Sequence, residues 1–126
     1  MLILAVVGSR DFADAYLLDF VLSEYLIETN GELSIVSGGA RGADREAKIW
    51  AQEQNLPVKE FLADWDKHGK AAGYIRNAEI VKASDEVLAF WDGKSKGTQH
   101  TINLAKKANK TVTIIEYEKL GMDKDR

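Results

Sequence analysis

The sequence has no cysteine, which rules out disulfides and thiol chemistry, and its two histidines, His68 and His100, fall short of the four ligands a structural zinc takes. No metal and no cofactor is expected, and both histidines read as surface residues. Proline occurs once and no segment is of low complexity, so nothing marks a linker. The 126 residues fit a single domain over 1–118, followed by a polar tail, "KLGMDKDR", over 119–126. Long apolar runs are missing as well. "LILAVV" at 2–7 is too short to span a membrane or serve as a secretory signal, and it has neither a basic flank nor a small-residue cleavage site. A cytoplasmic protein without membrane contact is the expectation. Nor does one sign of charge dominate: 17 basic residues against 20 acidic ones give a formal net charge of -3, which argues against a nucleic-acid partner gripped by a basic face.

What the chain does have is a regular succession of short apolar runs. "LILAVV" (2–7), "LSIVS" (33–37), "VKEFL" (58–62), "EVLAFW" (86–91) and "TVTIIEY" (111–117) are strand-length and rich in β-branched or aromatic residues. Between the first two, Leu18, Val21, Leu22 and Tyr25 fall on one face of a helix. Weaker stripes follow at Ala43, Ala47, Trp50 and Ala51, at Tyr74, Ala78 and Val81, and at Ile102, Ala105 and Ala108. Strand and helix alternate, closing on a fifth strand. Parallel strands need crossover connections, so the order predicts an α/β, Rossmann-like doubly wound domain, a five-stranded parallel sheet with helices on both faces.

In such a sheet ligands bind outside the carboxyl ends of the strands, and the loops leaving those ends carry the conspicuous chemistry. Three place glycine and a small polar or basic residue at the start of a helix: "GSRD" (8–11), "GGARGAD" (38–44) and "GKSKGT" (93–98). Helix N-termini offer unpaired N–H groups and a positive dipole end, so three on one sheet edge suggest an anion site, whereas any one alone is explained by a tight turn. Neither the dinucleotide fingerprint nor the Walker A spacing is present. A fourth segment, "ADWDKHGKAAGYIRN" (63–77), reads as a long polar loop. In it Trp65 either stacks on a base or packs over the sheet edge, with Asp64 and Asp66 accepting from a ligand or capping turns. Arg76 and Asn77 fall near the start of the next helix.

Together, "GSRDF", "VSGGARGAD", "DWDKHGKAAGYIRNAEIV" and "FWDGKSKGT", in that order over roughly residues 3–115, resemble the YspA-type, YpsA-related branch of the SLOG superfamily. Its relatives include the LOG (Lonely Guy) hydrolases and the DNA-processing protein DprA. The resemblance implies strand order 3-2-1-4-5 and binding of a nucleotide or nucleotide-derived small molecule, such as an ADP-ribose derivative or cyclic nucleotide, to sense or sequester it, with some members in phage or defence settings. It also implies a homo-oligomer, for which a helix face around Trp50 or Tyr74 would serve unless those residues are core. On this reading the ligand-binding residues are Gly8, Ser9, Arg10, Gly38, Gly39, Arg41, Asp44, Trp65, Arg76, Asn77, Asp92, Ser95, Gly97 and Thr98, with Lys94 or Lys96 adding charge and Gly42 admitting a close helix. LOG hydrolases carry a glutamate in P-G-G-x-G-T-x-x-E where this chain has Thr101. A threonine supplies no carboxylate to a glycosidic transition state, so binding without turnover is expected. The alternative is a nucleotide N-glycosidase using Glu79, Asp44 or Asp92 as its acid, and DprA-like DNA binding ranks third.

Overall fold

Alternation along each strand divides the apolar residues between two cores. Leu4, Val6, Leu33, Ile35, Leu88 and Phe90 face one way, and Ala5, Val7, Val36, Val87 and Ala89 face the other. The computed structural model describes residues 1–117, and the tail expected over 119–126 lies outside them. Its strands are β1 (Leu2–Gly8), β2 (Leu33–Ser37), β3 (Val58–Glu60), β4 (Glu86–Trp91) and β5 (Thr111–Glu116), all parallel in the order β3-β2-β1-β4-β5. The Rossmann-like α/β architecture of the sequence reading is the one observed.

Helices α1 (Ala15–Glu28) and α2 (Ala43–Glu53) cover the first face through Leu18, Leu22, Ala47 and Trp50. On the second face lie α4 (Ala72–Ala83) and α5 (Lys96–Lys107), through Ile80, Val81, Ile102 and Ala105. Trp50 is core, its Nε1 donating to Asp19 Oδ1 at 2.9 Å, so its indole is not available to an association face. The segment expected as a long loop over 63–77 is mostly helical: α3 (Trp65–His68) and a 3-10 turn (Gly69–Ala71) lead directly into α4. Asp64 makes this possible, accepting from the Lys67 amide at 3.1 Å as the N-cap of α3. The stripe expected on α4 is displaced. Tyr74 and Ala78 are exposed, while Ala72, Asn77, Ile80 and Val81 are buried, because polar Arg76 and Asn77 occupy the inward face.

Three helices end alike. Asn30, Asn55 and Asn109 take left-handed φ of 53, 58 and 59° just past α1, α2 and α5. The next amide in each case bonds back to Leu26, Ala51 or Ala105, the Schellman arrangement. These stops aim the chain into β2, β3 and β5, whose carboxyl ends with those of β1 and β4 form one edge.

Candidate functional site

The first loop is anchored before it offers anything to a ligand. Gly8 pairs with Phe90, and a Cβ there would meet the Phe90 carbonyl at 2.5 Å and Ala43 Cβ at 2.6 Å. Ser9, expected as a ligand contact, is 2% exposed and its Oγ accepts from the Asp92 amide at 3.2 Å, stitching this loop to the one after β4. Asp92 is turned to the same purpose, Oδ1 accepting from the amides of Lys94 and Ser95, both at 2.8 Å. Phe12 is buried against Phe90 and edge-on to Tyr117, ring centroids 4.7 and 5.0 Å away. The Tyr117 hydroxyl donates to Asp11 Oδ1 at 2.7 Å; burial, then the Asp11 and Asp92 charges, push its pKa up. Between buried Ser9 and buried Phe12, Arg10 stands exposed.

The glycine loop answers first to its own chain. Asp44 Oδ2 accepts from the amides of Gly38 (3.1 Å) and Ala40 (3.3 Å), and Arg76 Nη1 donates to the Gly38 carbonyl at 2.8 Å. A Cβ on Gly38 would meet that Arg76 nitrogen at 2.6 Å. At Gly42, φ is +80°, and a Cβ would meet the Ser9 carbonyl oxygen at 2.2 Å. At Gly42 a side chain is therefore excluded by backbone atoms whether or not a ligand is bound, whereas at Gly38 one would displace the Arg76 guanidinium. Ser37, the last residue of β2, has a buried hydroxyl without a hydrogen-bond partner among the described residues.

Asp44 is buried, and desolvation lifts its pKa to about 6 against the Ala40 and Gly38 hydrogen bonds and the Arg76 charge, with Glu60 adding repulsion. Arg76 is half-buried. Besides holding Gly38, its Nε donates to Asn77 Oδ1 at 3.1 Å.

Two pockets open on this edge. The larger, about 350 Å³, is lined by Arg10, the Gly38–Arg41 loop, Leu62, Ala63, Trp65 and Arg76. Trp65 is 57% exposed, so it lines the pocket instead of sealing the sheet edge. Leu62, 67% exposed, and Ala63 escaped the sequence reading because they were assigned to strand and loop; β3 stops at Glu60 and frees them. The smaller pocket, about 90 Å³, takes Gly8, Asp44, Asn77, Ser95, Gly97, Thr98 and Thr101, and shares Arg10, Ala40 and Arg76 with the larger.

The loop after β4 supplies that smaller pocket. Ser95 caps α5, its Oγ accepting from the Thr98 amide at 3.3 Å and lying 3.0 Å from Thr98 Oγ1. Thr101 is buried and donates to the Gly97 carbonyl at 3.2 Å. His100, taken for a surface residue, is half-buried, 3.2 Å from Asn77 Nδ2 and edge-on to Tyr74, and burial lowers its pKa. Lys94 and Lys96 are exposed and line neither pocket. Glu79 is likewise exposed and outside both, since the inward side of its helix belongs to Arg76, Asn77 and Ile80. Asp92 also lies outside both linings. Among the described residues, Asp44 is thus the single carboxylate facing either pocket, and no helix is long and apolar enough to cross a membrane.

Comparison with known proteins follows the same lines. A model of the YspA, cpYpsA-related SLOG family matches residues 2–68. The Gene 61 protein of Mycobacterium phage D29 is 42% identical over 118 residues, covering 89% of this chain and 93% of its own. The solved structure of DNA processing protein A from Streptococcus pneumoniae superposes with a TM-score of 0.74 at 22% identity, over 94% of this chain; the chain spans 51% of that protein. DNA processing protein A from Helicobacter pylori, described for its single-stranded DNA binding mode, gives 0.67 at 25% identity, over 95% of this chain and 67% of its own.

Proposed function

The chain belongs to the YspA, cpYpsA-related SLOG family, and from that premise we propose that it binds a nucleotide or nucleotide-derived small molecule in the larger pocket without turning it over. One observation carries the reading: Arg10, Arg41 and Arg76 converge with an exposed Trp65 on a cavity of about 350 Å³ that no carboxylate lines. Cavities of roughly 300–1,000 Å³ hold small ligands, guanidinium groups match phosphate oxygens in pairs, and an indole face takes a base. Thr101 supports the second half of the proposal. It lines the smaller pocket as a hydroxyl already spent on Gly97, leaving Asp44 as the acid facing that space, itself occupied with the glycine loop.

The test is to release and identify by mass spectrometry whatever co-purifies with the protein, then titrate it back by calorimetry. Trp65→Ala is expected to cost about 1–3 kcal/mol of binding, as lost base stacking does. Its melting temperature should stay unchanged, since the indole is exposed. Full affinity in that variant, or multiple turnovers of the ligand overnight that Asp44→Asn abolishes, would overturn the proposal, the latter in favour of a nucleotide N-glycosidase.

A second reading, single-stranded nucleic acid lying across the same arginines, draws on the likeness to the Helicobacter pylori protein. A net charge of -3 weighs against it, because affinity for a phosphate backbone comes mostly from neutralising several phosphates at once. Titration with a thymidine oligonucleotide, binding more tightly than any mononucleotide and weakening steeply with salt, would favour that reading instead.

A further inference from the structure

We propose that the ligand carries two separate anionic groups, as a nucleoside diphosphate does, and that Arg41 reads the second of them. This rests on the nucleotide reading above and goes beyond it in naming the ligand's charge and the residue that counts it. The three arginines of the larger pocket are not equivalent. Arg76 is committed to the protein: Nη1 holds the Gly38 carbonyl, Nε holds Asn77 Oδ1, and the Asp44 carboxylate beside it offsets its charge. Arg10 and Arg41 are exposed and, among the described residues, have neither a hydrogen bond nor an ion pair. No acidic residue shares the larger pocket's lining with them. Two guanidinium groups without a protein partner among the described residues therefore border one cavity, where a ligand with two negative groups can occupy both and a single charge only one.

Their placement divides the work. Arg10 rises from the loop after β1 and lines both pockets, whereas Arg41 rises from the loop after β2 and lines only the larger. Gly42 fixes the two loops against each other, since no Cβ fits between it and the Ser9 and Arg10 backbone. One anion at the shared rim, met by Arg10, leaves Arg41 facing another part of the cavity. A second phosphate extends a ligand into that part; a lone phosphate does not.

The experiment compares paired probes: AMP with ADP, GMP with GDP, CMP with CDP and UMP with UDP, titrated by calorimetry into the wild-type chain, Arg41→Ala and Arg10→Ala. Melting temperatures are measured alongside, and Arg41→Gln or Arg10→Gln replaces the alanine variant at its own position if that variant melts early. For the base that binds, the diphosphate is expected to bind about tenfold more tightly than the monophosphate, the usual gain from one charge-assisted contact at a partly exposed site. Arg41→Ala should erase that preference, weakening the diphosphate about tenfold more than the monophosphate, whereas Arg10→Ala should weaken both alike. Equal affinity for the two members of a pair, or equal losses in Arg41→Ala, would overturn the inference and leave nucleotide binding standing. Failure of every probe to bind would overturn both.

Discussion

At the scale of single residues, Asp44 and Ser37 cost the fold something and sit directly beneath the glycine loop. Asp44 is an acid whose folded pKa, about 6, stands above its ordinary 3.8, so between those values the folded chain holds more protons than the unfolded one. Its contribution to stability is present in full below the lower value and is lost as pH rises through the upper one. The whole effect is worth about 3 kcal/mol at most. Asp44→Asn keeps an acceptor for Gly38 or Ala40 without the charge. Thermal melts from about pH 4.5 to 7.5 should show the variant gaining on wild type as pH rises and matching it at the acid end; parallel curves would refute the burial argument. A carboxylate kept at such cost beside a pocket is common at functional sites. Ser37 makes the same point with a hydroxyl. Its buried Oγ lacks a partner among the described residues, so Ser37→Ala should leave the melting temperature unchanged or raise it, by up to about 2 kcal/mol of stability. A marked loss on that substitution would mean the hydroxyl is bonded in solution. The sequence pointed to Asp44, Arg76 and the glycines through the motif they share. It did not disclose that they bond to one another, because hydrogen bonds between loops leave no trace in spacing.

At the scale of elements, strands were the most legible part, since the central ones, β1, β2 and β4, are nearly unbroken apolar runs buried on both faces, while the edge strands β3 and β5 are only partly covered. The edge strand β3 was overestimated by two residues, and of the stripe read on α4 only Val81 faces the core. Both misreadings have one cause: Leu62, Arg76 and Asn77 serve the pockets, so apolar residues turn outward and polar ones inward there. The aspargine stops after α1, α2 and α5 were readable in "TNG", "QNLP" and "ANKT", where asparagine tolerates the left-handed conformation. The junction between β5 and the first loop was not, because Asp11 and Tyr117 lie 106 positions apart. Tyr117→Phe removes only the hydroxyl and keeps the packing on Phe12. It is expected to cost about 0.5–1.5 kcal/mol in a denaturant titration, together with a measurable loss of nucleotide affinity through Arg10. Unchanged affinity would show that the loop holds Arg10 in place without help from β5.

At the scale of the whole molecule, the pockets draw on the loops after β1, β2, β3 and β4, with α4 and α5 completing them. The proposed ligand in the larger pocket would touch the loops after β1, β2 and β3 together with α4, so binding should stabilise the domain as a unit and not one loop. At a ligand concentration about 100 times the dissociation constant the gain is about 2.7 kcal/mol, or roughly 5–10 °C in melting temperature for a domain of this size. A single shifted transition in a calorimetric scan would confirm that coupling, and two separate transitions would refute it. One further consequence follows from the Tyr117 contact, and it concerns the order in which the chain is made. Within this domain Arg10 is synthesised well before the strand that secures its loop, which emerges after every other described element. A nascent chain halted before β5 has the pocket's arginines and tryptophan but not their final alignment. Capture of the proposed ligand is thus expected only once β5 has joined the sheet, so that a chain still lacking that strand does not compete with one that has it.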